Sequence, residues 1–201
     1  MTGEEQSRLI GTRFSDALVY AAELHQYQDR KGGQIPYVTH LLSVAALVLE
    51  DGGDEDEGIA ALLHDAMEDQ GGRPTLEAVR ARFGDRVAGI VEACSDSETY
   101  PKPPWRERKE RYIQHLECAD ASAVRVSLAD KLHNARAILL DYRTVGEKLW
   151  CRFNATREDT LWYYGAVLSV FRGRSSSPLV DELARTVEEL AKLMPSKTEH
   201  Q

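Results

Sequence analysis

Apolar residues in this chain recur at three- and four-residue intervals, and no alternating run is long enough for a convincing strand. Phe14, Leu18, Ala21, Ala22 and Leu24 predict a first helix, capped by Thr12 or Ser15. The polar stretch 26–37, with Gly32-Gly33 and Pro36, reads as a loop. A second helix begins near His40 and carries Leu41, Val44, Ala45, Leu47 and Val48. The acidic segment 50–58, with Gly52-Gly53, breaks it. Ile59, Ala60, Leu62 and Leu63 then form a short apolar helix that delivers His64 and Asp65. Gly71-Gly72 and Pro74 close that element.

Further helices are predicted from Thr75 to Phe83, around Val87 to Val91, over 105–118, and from Ala123 to Leu140. Arg157 to Phe171 and Asp181 to Leu193 supply the last two, with 172–178 as a loop between them. Segment 95–104 is turn-rich. The best strand candidate, VRVSL at 124–128, continues in helical register. The expectation is an all-α fold, one helical bundle. Its core would span about 12–172 and its C-terminal helix about 179–194, with a mobile tail after Pro195.

Composition narrows the class. The 201 residues suffice for one well-buried core, and 42% hydrophobic with 29% charged residues suits an ordinary globular domain. No apolar run approaches a membrane span, and the acidic N-terminus is unlike a secretory signal, so no membrane partner and a cytoplasmic location are expected. Cys94, Cys118 and Cys151 are widely spaced and read as reduced thiols. A net charge of −8 argues against a partner that is a nucleic-acid polymer. A small anionic ligand stays compatible, because Arg30-Lys31 and the cluster Lys102, Arg106, Arg108, Lys109 and Arg111 are locally basic. Nothing in the pattern decides whether the chain forms a homo-oligomer.

The chemistry concentrates at H-D-x-x-E-D, residues 64–69. On a helix, positions three and four apart share a face, so His64, Asp65, Glu68 and Asp69 would cluster within little more than one turn. The preceding residues are apolar, and burying so many acids without a cation is costly. His40, after a Pro-Tyr loop, and Asp130, on an apolar-faced helix, complete a candidate ligand set of two imidazoles and two carboxylates. That mixed N/O set suits Mn²⁺ or Fe²⁺, with Zn²⁺ as a further alternative. Such a site, with Glu68 and Asp69 to spare, can activate water against a phosphate ester or anhydride. His25, His115, His133 and His200 lack such company; His133, three residues from Asp130, reads as a packing or surface residue or else as a layer behind the ligands.

Three segments carry a family resemblance: R-K-G-G-Q-I-P-Y-V-T-H (30–40), A-L-L-H-D-A-M-E-D (61–69) and L-A-D-K-L-H-N (128–134). The pattern resembles the HD-domain metal phosphohydrolases, more narrowly the small stand-alone alarmone hydrolases of the Rel/SpoT type, from about Ala17 to Phe171. The resemblance implies Mn²⁺ held by His40, His64, Asp65 and Asp130, with Glu68 and Asp69 positioning or deprotonating water. It implies Arg30 and Lys31 against guanine and phosphates, Asn134 on the nucleoside with Lys131 beside it, and Arg157, with Lys102 or Lys109, near the phosphates. The implied reaction removes the 3′-pyrophosphate of guanosine tetra- or pentaphosphate, giving GDP or GTP and pyrophosphate. With about thirty residues after Phe171, hydrolysis without synthesis is expected. The alternatives are the same chemistry on NADPH or a deoxynucleoside monophosphate, and a catalytically silent nucleotide-binding module. Trp162, Tyr163 and Tyr164 are expected to pack between helices rather than stack on a base.

Overall fold

A computed structural model describes residues 10–96 and 103–193. Lys102, much of the turn-rich stretch and the tail after Pro195 lie outside the described residues. Ten α-helices follow one another without a strand among those residues: α1 (Thr12–Leu24), α2 (Val38–Glu50), α3 (Glu55–Leu63), α4 (Ala66–Asp69), α5 (Arg73–Phe83), α6 (Asp85–Cys94), α7 (Trp105–Cys118), α8 (Ala121–Val145), α9 (Arg157–Arg174) and α10 (Pro178–Leu193). A 3-10 turn at Gly146–Arg152 joins α8 to α9. One bridge, Asp29 to Pro36, pins the loop before α2.

Local chemistry sets several boundaries. The Asp54 carboxylate accepts from Glu57 N (3.0 Å) while Glu57 Oε2 accepts from Asp54 N (2.8 Å), a reciprocal cap that starts α3 directly after the break at Gly52-Gly53. Asp120 and Thr156 cap α8 and α9 through Ala123 N and Asp159 N. Thr12 and Ser15 do not cap α1. Gly11 holds that position, and its N–H donates to Glu55 Oε1 at 2.6 Å, so a side chain 44 residues away satisfies a group expected to find a local partner. Pro74 begins α5 rather than ending the preceding element, because a first-turn proline forfeits no helical hydrogen bond. The helices α8, α9 and α10 each run beyond the expected ends, leaving only 175–177 between the last two.

The main apolar cluster draws on residues from Ala17 to Leu183, including Leu41, Leu62, Leu63, Leu128, Leu132 and Phe171. Helix α2 packs on α3 and α8, α3 also on α1 and α6, and α10 covers α8 and α9. The central trio α2, α3 and α8 thus carries both the densest packing and the polar side chains that the cluster surrounds. Tyr163 and Tyr164 are buried in this core, as packing residues should be.

Candidate metal centre

His40 lies in the first turn of α2, His64 and Asp65 between α3 and α4, and Asp130 on the buried seam of α8. Neighbouring residues of a continuous helix point about 100° apart, which would separate His64 from Asp65. The helix stops at Leu63, and Asp65 takes φ −96°, ψ −1° before α4 begins. That break, in place of the expected continuous helix, turns both side chains to one point: His64 Nε2 stands 3.0 Å from Asp65 Oδ2. His40 Nε2 lies 3.6 Å from Asp65 Oδ2 and 3.2 Å from Asp130 Oδ1, and His64 Nε2 lies 3.7 Å from Asp130 Oδ1. Donor atoms sharing one ion at about 2.1 Å are separated by roughly 3.0–4.2 Å, so these spacings fit a single cation. The two Nε2 atoms are buried without a hydrogen-bond partner, which points the same way.

Each donor atom of the candidate cluster is steered from behind. His64 Nδ1 donates to Ala61 O at 2.8 Å, which leaves Nε2 directed at the cluster. His40 Nδ1 is 2.8 Å from His133 Nδ1. The Tyr37 hydroxyl donates to Asp65 Oδ2 at 2.5 Å. Asp130 accepts from Lys131 Nζ at Oδ2 and from Asn134 Nδ2 at Oδ1, both at 2.5 Å. Burial alone would raise the Asp130 carboxyl, but the Lys131 ammonium and the two imidazoles hold it well below the usual range. Burial would likewise raise Asp65, and His64 and His40 reverse that. Burial would lower His64, and the Asp65 and Asp130 charges overcome it.

His133 therefore stands directly behind His40 of the candidate cluster, one of the readings its three-residue spacing from Asp130 allowed. Burial, and then the neighbouring His40 and Arg30, push its imidazole down to about 4, so it is neutral and free to accept at one nitrogen. His25 carries more than its sequence context signalled. It is 2% exposed and its ring stacks on Tyr37 at 5.2 Å.

Around the cluster, Gln28 Nε2 donates to Asp69 Oδ2 at 2.8 Å, and Glu68 Oε2 receives the Asp96 N–H at 3.4 Å. Arg30 donates to Asn134 Oδ1 at 2.8 Å, which links the basic loop to Asp130 through one amide. Lys31 is exposed on that loop. Lys131 is nearly buried over the Tyr112 ring and faces Asp130. Lys109 and Arg108 both grip Asp96 at 2.5 Å. Arg157 is held by Glu158 and Glu147 beside a cavity of about 330 Å³ lined also by Trp150, Phe153 and Asn154; none of these residues is in the ligand cluster.

A family model described as HD domain matches residues 17–161. The guanosine-3′,5′-bis(diphosphate) 3′-pyrophosphohydrolase MESH1 of Xenopus tropicalis is 40% identical over 124 residues, which are 60% of this chain and 66% of that protein. The Homo sapiens protein of the same name is 36% identical over 137 residues, 67% of this chain and 71% of its own length. A solved structure of a metazoan SpoT ortholog, described as hydrolysing ppGpp, superposes with a TM-score of 0.75 at 27% identity, covering 90% of this chain and 97% of the other.

Proposed function

This chain belongs to the HD domain family, and on that footing we propose that it hydrolyses the 3′-pyrophosphate of guanosine tetra- or pentaphosphate. The observation that carries the proposal is the pair of buried, unpartnered imidazole Nε2 atoms facing two carboxylates at cation spacing. His40, His64, Asp65 and Asp130 are the proposed ligands of a divalent ion, with Mn²⁺ the choice the family resemblance implies and the mixed N/O donor set suits. When bound, that ion supplies Lewis-acid polarisation of the phosphate and acidification of water.

The chain's own groups then divide the remaining work. Glu68 and Asp69 take the proton from the attacking water, and are acids the ligand set does not use. Water oxygen joins the phosphorus bearing the 3′-oxygen, that P–O bond breaks, and the 3′-oxygen leaves with a proton as the nucleoside 3′-hydroxyl. GDP or GTP and pyrophosphate result. Arg30 and the exposed Lys31 meet the nucleotide's negative charge, with Arg157 as a further cation. Asn134 ties Arg30 to Asp130, so the loop that binds substrate is registered to the ion. Lys131, directed at Asp130, acts on the nucleotide only through that ligand.

We take the chain to act as a single domain with a small anionic nucleotide as partner. Among the described residues no helix is long and apolar enough to cross a membrane, and we assign it to the cytoplasm. Turnover on a nucleotide panel tests the reading: with Mn²⁺, guanosine tetraphosphate should release pyrophosphate far faster than NADPH or a deoxynucleoside monophosphate releases phosphate. Faster monophosphate release would reassign the substrate, and tight binding without turnover would make the protein a sensor.

A further inference from the structure

Gln28 lies in the loop after α1, outside both the ligand set and the basic pair at Arg30-Lys31, yet its side chain spans the rear of the site. Its Nε2 donates to Asp69 Oδ2 at 2.8 Å. Its Oε1 accepts from Gln70 Nε2, and from His25 Nδ1 at 2.7 Å. The amide can be oriented only one way. Turned over, it would set its oxygen against the Asp69 carboxylate and its NH₂ against the Gln70 NH₂. Because Oε1 is an acceptor, the 2.7 Å contact assigns the His25 proton to Nδ1 in preference to the longer 3.3 Å approach of Gln70 Nε2, and its Nε2 is left buried without a partner. That orphaned atom is a local cost accepted so that the ring donates to Gln28. The same ring lies flat on Tyr37, at 5.2 Å and 18°, and the Tyr37 hydroxyl holds Asp65 at 2.5 Å.

Two carboxylates with different assigned tasks, Asp69 and Asp65, are therefore braced by one small cluster of neutral side chains. A base at the exposed end of α4 has several rotamers, and a fixed amide donor favours one of them. An amide suits this duty better than a lysine or arginine would. It fixes the carboxylate without adding a full positive charge that would weaken it as a proton acceptor.

We propose that Gln28 is a positioning residue for hydrolysis, holding the Asp69 carboxylate toward the attacking water while His25 and Gln70 fix the orientation of its amide. This rests on the reading that Asp69 accepts a proton from water.

The test compares Gln28→Met, which keeps the length and loses the amide, with Asp69→Asn and wild type, using guanosine tetraphosphate and Mn²⁺. Gln28→Met should lower kcat about ten- to a hundredfold, with KM and Mn²⁺ affinity within about twofold of wild type. Gln28→Glu should also move the acidic limb of the kcat–pH profile upward, because a second carboxylate then faces Asp69. Should Gln28→Met fold poorly, the His25 pair decides. His25→Asn keeps a donor near the Nδ1 position and should retain most turnover, whereas His25→Leu should lose it. Wild-type kcat in Gln28→Met beside a slow Asp69→Asn would overturn the positioning role alone. Full turnover by Asp69→Asn would instead remove the premise for Asp69 and the proposal with it. Equal losses in kcat, 1/KM and metal affinity would mark Gln28 as merely structural and also overturn it.

Discussion

His40 and His133 face each other through their Nδ1 atoms at 2.8 Å, so a single proton lies between the two imidazoles. An imidazole that offers Nε2 to a cation must keep its proton on Nδ1, and that proton needs an acceptor. For His64 the acceptor is Ala61 O, a carbonyl that can only accept. For His40 it is another ring, which accepts only in the tautomer protonated at Nε2.

Removing that acceptor should weaken metal binding. His133→Leu is expected to lower Mn²⁺ affinity about ten- to a hundredfold, as loss of such partners generally does. His133→Asn, whose Oδ1 falls near the position of Nδ1, should recover most of it. Isothermal titration of the metal-stripped protein reads both values. Equal affinity in wild type and His133→Leu would show that His40 does not depend on this partner.

Lys131 is expected to act on Asp130 rather than on phosphate. Its side chain is 12% exposed and its ammonium is 2.5 Å from the Asp130 carboxylate. Breaking a buried pair by removing one partner costs about 3–5 kcal/mol. Lys131→Met should therefore unfold at lower urea when metal is chelated, and added Mn²⁺ should restore part of the loss, because a cation again faces Asp130. A stability unchanged in chelator, beside a large rise in KM, would favour direct contact with the nucleotide.

Gly32 has φ +83°, and a Cβ built there would meet Arg152 Cδ at 2.3 Å. Both facts bear on the loop that presents Arg30 and Lys31. Gly32→Ala should displace that loop at a strain of about 1–2 kcal/mol, raising KM several-fold while leaving Mn²⁺ affinity unchanged. Steady-state kinetics with a metal titration separates the two effects. An unchanged KM would detach the loop from substrate binding.

Acid stability should depend on Asp96. Burial would raise this carboxyl, but Lys109 and Arg108 pull it down to about 2. A carboxylate depressed on folding contributes stability that is present above its unfolded pKa near 4 and lost as pH falls toward about 2. The contribution at neutral pH is on the order of 2 kcal/mol. Asp96→Asn should be less stable than wild type at neutral pH, and the difference should shrink across that window. Urea denaturation at several pH values checks it; a difference independent of pH would contradict the assignment.

Much of the fold was readable from periodicity, since a run such as Leu41, Val44, Ala45 and Val48 announces both helix and buried face. The candidate donor residues were readable too, because His64-Asp65 emerges from an apolar segment. Less readable was how they converge. Helical spacing placed His64 and Asp65 on one continuous helix, whereas the break after Leu63 is what directs both to one point. Contacts such as Gly11 to Glu55, Gln28 to Asp69 and Arg30 to Asn134 join residues 41–104 apart in sequence, and local pattern does not encode such pairings. His133 was within reach, as residues three apart on a helix share a face with Asp130. Its partner, His40, comes from a different helix and only the packing of α2 on α8 reveals it.

The most direct test follows pyrophosphate release from guanosine tetraphosphate while Mn²⁺ is returned to chelator-stripped protein, with bound metal counted in parallel. Release should climb with the first equivalent of ion per chain. In Asp130→Asn, binding and release should fall together. Release that persists in chelator, or an Asp130→Asn protein that binds Mn²⁺ and turns over like wild type, would contradict the proposed metal centre.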